Sequence, residues 1–263
     1  MDYKKCELFL FDMDGTLWLG DQLFTFTKEL LATIRAQGKR FLYMTNNSSR
    51  SVYDHMKKLH RLGITDATED DFITSSQVTA TYLLKNFPGK KMYVCGTASL
   101  KKELADAGIW VTDTYAEDIE VVVMGFDTEL SFQKLEDLSR LLTRDLPYIA
   151  TNPDYVCPTE FGSVPDCGSV ADMIFNSTGK RPLFIGKPSP LMVETAMEQQ
   201  GIGADKTIVV GDRCYTDIAC GVRAGVTALL VMSGETTPEI LAASDVKPTC
   251  VLADCGELLN AIK

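Results

Sequence analysis

Short, continuously apolar runs alternate along this chain with stretches of helical periodicity. "CELFLFD" predicts a strand, and "FTKELLATIRAQGK" a helix that stops at Gly38. "RFLYMTN" predicts the next strand, and "SRSVYDHMKKLHRLG" a helix stopped by Gly63. The last segment repeats the scheme. "PLFIGK", "KTIVVGD" and "VTALLVM" predict strands, and "PLMVETAMEQQG" and "YTDIACGVRAG" predict helices between them. Strands that are apolar throughout, rather than alternating, have both faces covered. Strand–helix alternation then implies right-handed crossovers and a doubly wound parallel sheet of the Rossmann-like kind.

The middle of the chain carries elements of its own. "KMYVCG", "IEVVVMGFD" and "LPYIATN" predict strands, and "SFQKLEDLSRLL" and "SVADMIFNSTGK" predict helices. "TNPDYVCPTEFGSVPDCGS", rich in Pro, Gly and Ser, predicts a loop. This stretch could extend the first sheet, but its length and its own strands favour a separate α/β lobe. The expected organisation is a core from residues 1–77 and 183–263, with 78–182 inserted between them.

Composition narrows the partners. The net charge of −10 disfavours nucleic acid and anionic membrane surfaces. No apolar run reaches the roughly 18 residues of a membrane span. The apolar run near the N-terminus is short and ends in two acids, unlike a signal peptide. Eight cysteines without a CxxC pair, and only two histidines, argue against zinc and against a disulfide scaffold. A cytoplasmic protein with free thiols is expected. His55 and His60 read as ordinary helix residues. Whether the chain forms homo-oligomers is left open.

Ligands of open α/β sheets bind beyond the carboxyl ends of the strands. Four predicted strands deliver polar residues there. The first ends at Asp12 and continues to Asp14; the second ends in Thr45, Asn46 and Asn47. The third leads into Lys187, and the fourth ends in "GDRCYTD", with Asp212 and Asp217. Carboxylates converging without a cation would repel one another. A hard divalent cation relieves this, and oxygen donors without histidine favour Mg2+. The lysine, hydroxyl and amides supply donors for an anion, and phosphate fits best. Asp12 taken alone would read as a turn acid at a strand end.

The set resembles the haloacid-dehalogenase-like superfamily: "DMDGT" its first motif, Thr45 its second, Lys187 its third and "GDRCYTD" its fourth. The resemblance implies a phosphatase in which Asp12 attacks phosphorus to form an aspartyl-phosphate. Asp14 protonates the leaving group and then activates water. The Asp12 carboxylate, Asp14 main-chain carbonyl and Asp212 carboxylate hold magnesium. Thr45, Asn46 and Asn47 bind phosphate, and Lys187 stabilises the transferred group. Asp217 orients Lys187 or a metal-bound water; as a bare helix acid it would do neither. An acid at position 14 marks phosphatases and phosphomutases within the superfamily. The long stretch between Thr45 and Lys187 implies a C2-type cap. "TNN", "VVVMGFD", "TNPD" and "GKPSP" resemble the NagD-like and p-nitrophenyl phosphatase-like branch, subfamily IIA.

That branch implies a small phosphate monoester as substrate, such as a sugar phosphate or nucleotide. Cap residues Tyr155 and Cys157 are expected to read its organic group. Cys157 has an equal reading as a packing residue, and it stands where pyridoxal phosphatase-like members carry His, which weakens that substrate. Residues from Gly15 to Phe24 are expected to form a mobile flap beside the site; Trp18 could contact substrate there, but core packing is its expected role. The alternatives are a phosphomutase and an idle phosphate-binding regulator.

Overall fold

The computed structural model describes residues 2–159 and 161–263. The chain divides into two compact units. The first contains the chain up to Thr45, Val52–Ile73 and Lys187–Lys263; the second contains Asn46–Ser51 and Thr74–Gly186.

The first unit is built on a six-stranded sheet. Its order is Cys250–Leu252, Thr227–Val231, Thr207–Gly211, Leu8–Phe11, Arg40–Thr45, Phe72–Thr74. The pairs from Cys250–Leu252 through to Arg40–Thr45 are all parallel. Every side chain of Leu8–Phe11 is buried, as expected of a strand covered on both faces. One face carries Phe9, Phe11, Phe41, Tyr43, Ile208 and Val210, packed against Leu30, Leu31 and Ile34 of the helix Thr27–Ala36 and Leu258 of the helix Cys255–Ile262. Truncating one of these phenylalanines to Ala would cost about 3–5 kcal/mol. The helix Leu191–Gln200 contacts Leu8–Phe11, and the π-helical turn Cys214–Ile218 leads into Ala219–Arg223. Strand order reverses between Leu8–Phe11 and Thr207–Gly211. That switch point opens a crevice at the carboxyl ends of both strands.

The second unit has a parallel five-stranded sheet in the order Leu183–Phe184, Tyr148–Ala150, Val121–Met124, Lys91–Cys95, Trp110–Thr112. Its core joins Tyr93, Val122, Met124 and Tyr148 to Leu138 and Leu141 of the helix Phe132–Leu141 and Ile174 of the helix Cys167–Thr178. The fold is thus α/β, a doubly wound Rossmann-like sheet with an inserted α/β cap domain of the C2 type.

Two local expectations change. The strand expected in "PLFIGK" forms only at Leu183–Phe184, and it pairs with Tyr148–Ala150 in the second sheet rather than with the first. The Pro- and Gly-rich loop contains an antiparallel hairpin, Val156–Thr159 with Gly162–Pro165. A two-stranded ribbon has only edge strands, so Pro158 and Pro165 fit without breaking a ladder. Between Gly15 and Phe24 the chain forms a small hairpin, Trp18–Leu19 with Gln22–Leu23, and Trp18 is buried as expected.

Candidate active site

The strand Leu8–Phe11 carries Asp12 to its end, where the Asp12 amide still donates to the Val210 carbonyl at 2.8 Å. Beside it, Thr207–Gly211 ends just before Asp212. Lys187 reaches into the space between. Its Nζ lies 2.5 Å from Asp12 Oδ1 and 2.6 Å from Asp217 Oδ1, and also donates to the Met44 carbonyl at 3.4 Å. Lys187 is 3% exposed, Asp212 2% and Asp217 0%. Asp217 sits on the turn Cys214–Ile218, and its second oxygen accepts from the Arg213 amide at 3.1 Å. Thr45 is buried at the end of Arg40–Thr45.

Asp12, Asp212 and Asp217 each place a carboxylate oxygen within 4.8 Å of the others. Asp212 Oδ2 accepts from the Glu235 amide at 2.6 Å, but its Oδ1 is buried with no hydrogen-bond partner. An unpartnered buried carboxylate oxygen costs free energy unless a cation meets it. Burial and the neighbouring Asp217 push Asp12 up to about 8 against the pull of Lys187. Burial and Asp217 likewise push Asp212 up to about 6. For Lys187 burial favours the neutral amine, yet Asp12 and Asp217 outweigh it and hold the ammonium charged. Three carboxylates against one buried lysine leave negative charge in excess. The all-oxygen donor set suits a hard divalent cation.

Two glycines make room for Asp212. A Cβ at Gly15, which has φ of +85°, would lie 2.5 Å from Asp212 Oδ2, and one at Gly234 would lie 2.0 Å from it. Gly15 is further tied down through its carbonyl, which accepts from Ser233 Oγ at 2.7 Å.

The Asp14 carboxylate stands apart from this buried group. It is 55% exposed, accepts from the Gly20 amide and pairs with Lys58 Nζ. The sequence reading missed Lys58, which belongs to no motif and lies far along the chain from its partner. Glu235 and Gly234, which hold and admit Asp212, were missed for the same reason.

The remaining candidates lie in the second unit. Asn46 Nδ2 donates to Asp154 Oδ2 at 2.8 Å. Asn47 Oδ1 accepts from the amide and hydroxyl of Ser49 at 3.0 and 2.8 Å. The side chains of both asparagines therefore shape the turn after Thr45. Tyr155 is exposed at the base of the Val156–Thr159 hairpin, while Cys157 is half-buried and packs against the core of that unit.

A family model described as haloacid dehalogenase-like hydrolase matches residues 9–110, and a HAD-hydrolase-like model matches residues 184–258. The chain is 31% identical over 260 residues to an acid sugar phosphatase of Staphylococcus aureus, covering 99% of each chain. It is similar to the crystal structure of a 4-nitrophenylphosphatase from Thermotoga maritima, with a TM-score of 0.94, 40% identity and 100% of both chains covered. A glycerol phosphate phosphatase from Mycobacterium tuberculosis, solved in complex with magnesium, matches with a TM-score of 0.90 and 29% identity over 100% of this chain and 78% of that one. Ordered motifs, a shared fold and near-complete coverage agree: the chain belongs to the haloacid dehalogenase-like hydrolases, in their NagD-like and p-nitrophenyl phosphatase-like branch, and is by that membership an enzyme of the phosphoric monoester hydrolase class.

Proposed function

We propose that the chain is a magnesium-dependent phosphatase that hydrolyses small organic phosphate monoesters, sugar phosphates among them, through an aspartyl-phosphate on Asp12. The observation that carries this reading is the oxygen cluster of half-buried Asp12 with buried Asp212 and Asp217, with Asp212 Oδ1 unpartnered and Lys187 between two of the acids. The acid sugar phosphatase and 4-nitrophenylphosphatase relatives support the substrate class. Residues 1–77 and 183–263 supply the chemistry, and the inserted 78–182 supplies selectivity through Tyr155 and Cys157. The acidic composition argues against nucleic-acid and anionic-membrane partners, and eight cysteines, none in a disulfide among the described residues, support a cytoplasmic enzyme.

The residues divide the work. The Asp12 carboxylate attacks phosphorus, and the bond from phosphorus to the leaving oxygen breaks. The Asp14 carboxyl gives its proton to that oxygen, then takes a proton from the water that opens the aspartyl-phosphate. Free phosphate leaves and Asp12 is restored. Lys187 balances charge on the transferred group and on Asp12, while Thr45 donates its hydroxyl to phosphate with the amides of Asn46 and Asn47. Asp217 fixes the Lys187 ammonium. The Asp12 carboxylate, the Asp14 main-chain carbonyl and the Asp212 carboxylate would hold magnesium. When bound, the ion neutralises phosphate charge and orients the ester for in-line attack.

The test is release of inorganic phosphate from p-nitrophenyl phosphate and from a panel of sugar phosphates, with magnesium and after exhaustive chelation. Turnover should need the metal and return with it, and calcium should inhibit. Full turnover in verified metal-free protein would overturn the reading.

A further inference from the structure

Asp14 occupies the turn after Leu8–Phe11, and more than half of its side chain is open to solvent. A carboxylate in such a place ordinarily samples several rotamers. Here each oxygen has a donor. The Gly20 amide, at the tip of the Trp18–Leu19 and Gln22–Leu23 hairpin, meets Oδ1 at 3.3 Å. Lys58 Nζ, from the helix Val52–Arg61, meets Oδ2 at 3.3 Å.

Lys58 is itself held. Its side chain is 21% exposed, and its ammonium lies 5.2 Å from the centroid of the Trp18 ring. Trp18 is buried in the core of the first unit. A cation over an indole face is favoured, and the aliphatic stem covers apolar surface. Position is thus handed from the core to Trp18, from Trp18 to Lys58, and from Lys58 to the Asp14 carboxylate.

We propose that Lys58 is a positioning residue for the reaction: it fixes the orientation from which Asp14 delivers its proton. The proposal rests on the reading of Asp14 as the acid and base. An exposed ion pair of this kind adds little to fold stability. Its effect should fall on the proton transfer instead. When the phosphorus–oxygen bond breaks, the electron pair stays on the leaving oxygen and the proton comes from Asp14. Lys58 neither gives nor takes a proton. A leaving group that is already a stable anion, such as p-nitrophenolate, needs that proton little. An alkoxide needs it.

The experiment compares kcat/KM for p-nitrophenyl phosphate and for glycerol phosphate, because kcat/KM reports the steps through bond cleavage. Lys58→Met keeps the stem on Trp18 and removes the charge. It should lower kcat/KM for glycerol phosphate roughly tenfold to 100-fold, since small misplacements of a reacting group cost that much. For p-nitrophenyl phosphate the loss should stay below about threefold. Lys58→Arg should restore most of the loss, and the melting temperature should hardly move. Added to Asp14→Asn, Lys58→Met should cost nothing further.

An equal loss on both esters, no loss on either, a rise in KM alone, or an additive loss in the double variant would each overturn the role of Lys58. Asp14→Asn alone separates the two readings. If it shows the leaving-group split and Lys58→Met does not, Lys58 is wrong and Asp14 stands. If Asp14→Asn lowers both esters equally, the reading of Asp14 fails first.

Discussion

In the first unit, Asp12 and Asp212 follow the carboxyl ends of two parallel strands; in the second, Thr151, Asn152 and Asp154 follow the end of Tyr148–Ala150. The second group closes on itself. Asn152 Nδ2 donates to Asp154 Oδ2 at 2.9 Å and to Asp166 Oδ1 at 3.1 Å, and Asn152 Oδ1 accepts from Thr151 Oγ1 at 2.8 Å. Asp166 also accepts from the Cys167 amide at 2.5 Å, and Ser48 ties Thr151 to the Phe126 amide at 2.8 and 2.9 Å. The first group does not close. It brings three carboxylates together over one lysine and leaves Asp212 Oδ1 without a donor. The same sheet geometry thus serves two purposes. One cluster is satisfied internally and holds the turn that carries the hairpin. The other is left short of positive charge, and that deficit is what a cation and a phosphate ester would fill.

The largest test of this contrast is Asp12, the proposed nucleophile. Asp12→Asn should lower kcat by about a thousandfold or more while the protein still melts cooperatively, because an amide cannot attack phosphorus. Stopped assays against wild type, with a thermal melt alongside, would show it. Activity within tenfold of wild type would remove Asp12 from the chemistry.

A reciprocal pair sharpens the comparison. Asp166→Ala leaves two buried donors unpaired and should destabilise the fold by about 2–4 kcal/mol, with little change in kcat on acetyl phosphate. Asp212→Ala should do the reverse, abolishing turnover in the presence of magnesium while leaving the stability of the metal-free protein nearly unchanged or higher. Urea melts and initial rates on both variants decide the matter. Parallel behaviour of the two would erase the distinction between the clusters.

The pH dependence of stability has a definite sign. Burial and Asp217 hold Asp12 up to about 8 and Asp212 up to about 6 in the folded protein, and burial holds Asp166 up to about 6. Unfolded aspartates release their protons near about 4. Over that window the folded state binds more protons, so stability must fall as pH rises. In chelator the decline should run from about pH 4 to about pH 8. Saturating magnesium should abolish the Asp12 part, which runs from about 4 to about 8, and the Asp212 part, from about 4 to about 6, because it favours ionised ligands. The Asp166 part, between about 4 and 6, should survive metal and vanish in Asp166→Asn. Urea midpoints across pH, with and without magnesium, would read both parts separately.

The smallest expected effect lies on the hairpin. Tyr155→Ala and Cys157→His should reorder kcat/KM among phosphate esters by about 1–3 kcal/mol, or roughly tenfold to 200-fold, and leave acetyl phosphate nearly unchanged. A substrate panel with a uniform shift would assign these residues to packing alone, which the half-buried Cys157 already serves in part.

What could be read in advance follows from range. Asp12, Thr45 and Asp212 each directly follow or end an apolar strand, so local pattern places the strand and thereby the residue at its mouth. Helix ends at Gly38, Gly63 and Gly201 were legible because each glycine adopts positive φ. Partners were not legible. Lys58 meets Asp14 across 44 residues and Asn46 meets Asp154 across 108, and no periodicity encodes such pairings. The hairpin at Val156–Thr159 escaped because its prolines read as loop, and Leu183–Phe184 was too short to announce which sheet it joins.

The bare backbone around Asp212 also sets terms for anyone evolving this enzyme toward new esters. Positions 15 and 234 admit no side chain without displacing that carboxylate, so a library that samples them discards most of its members before selection begins. The exposed residues of the hairpin, Tyr155, Val156 and Phe161, carry no such restriction. Diversity placed there leaves the chemistry intact, and the number of variants worth screening shrinks accordingly.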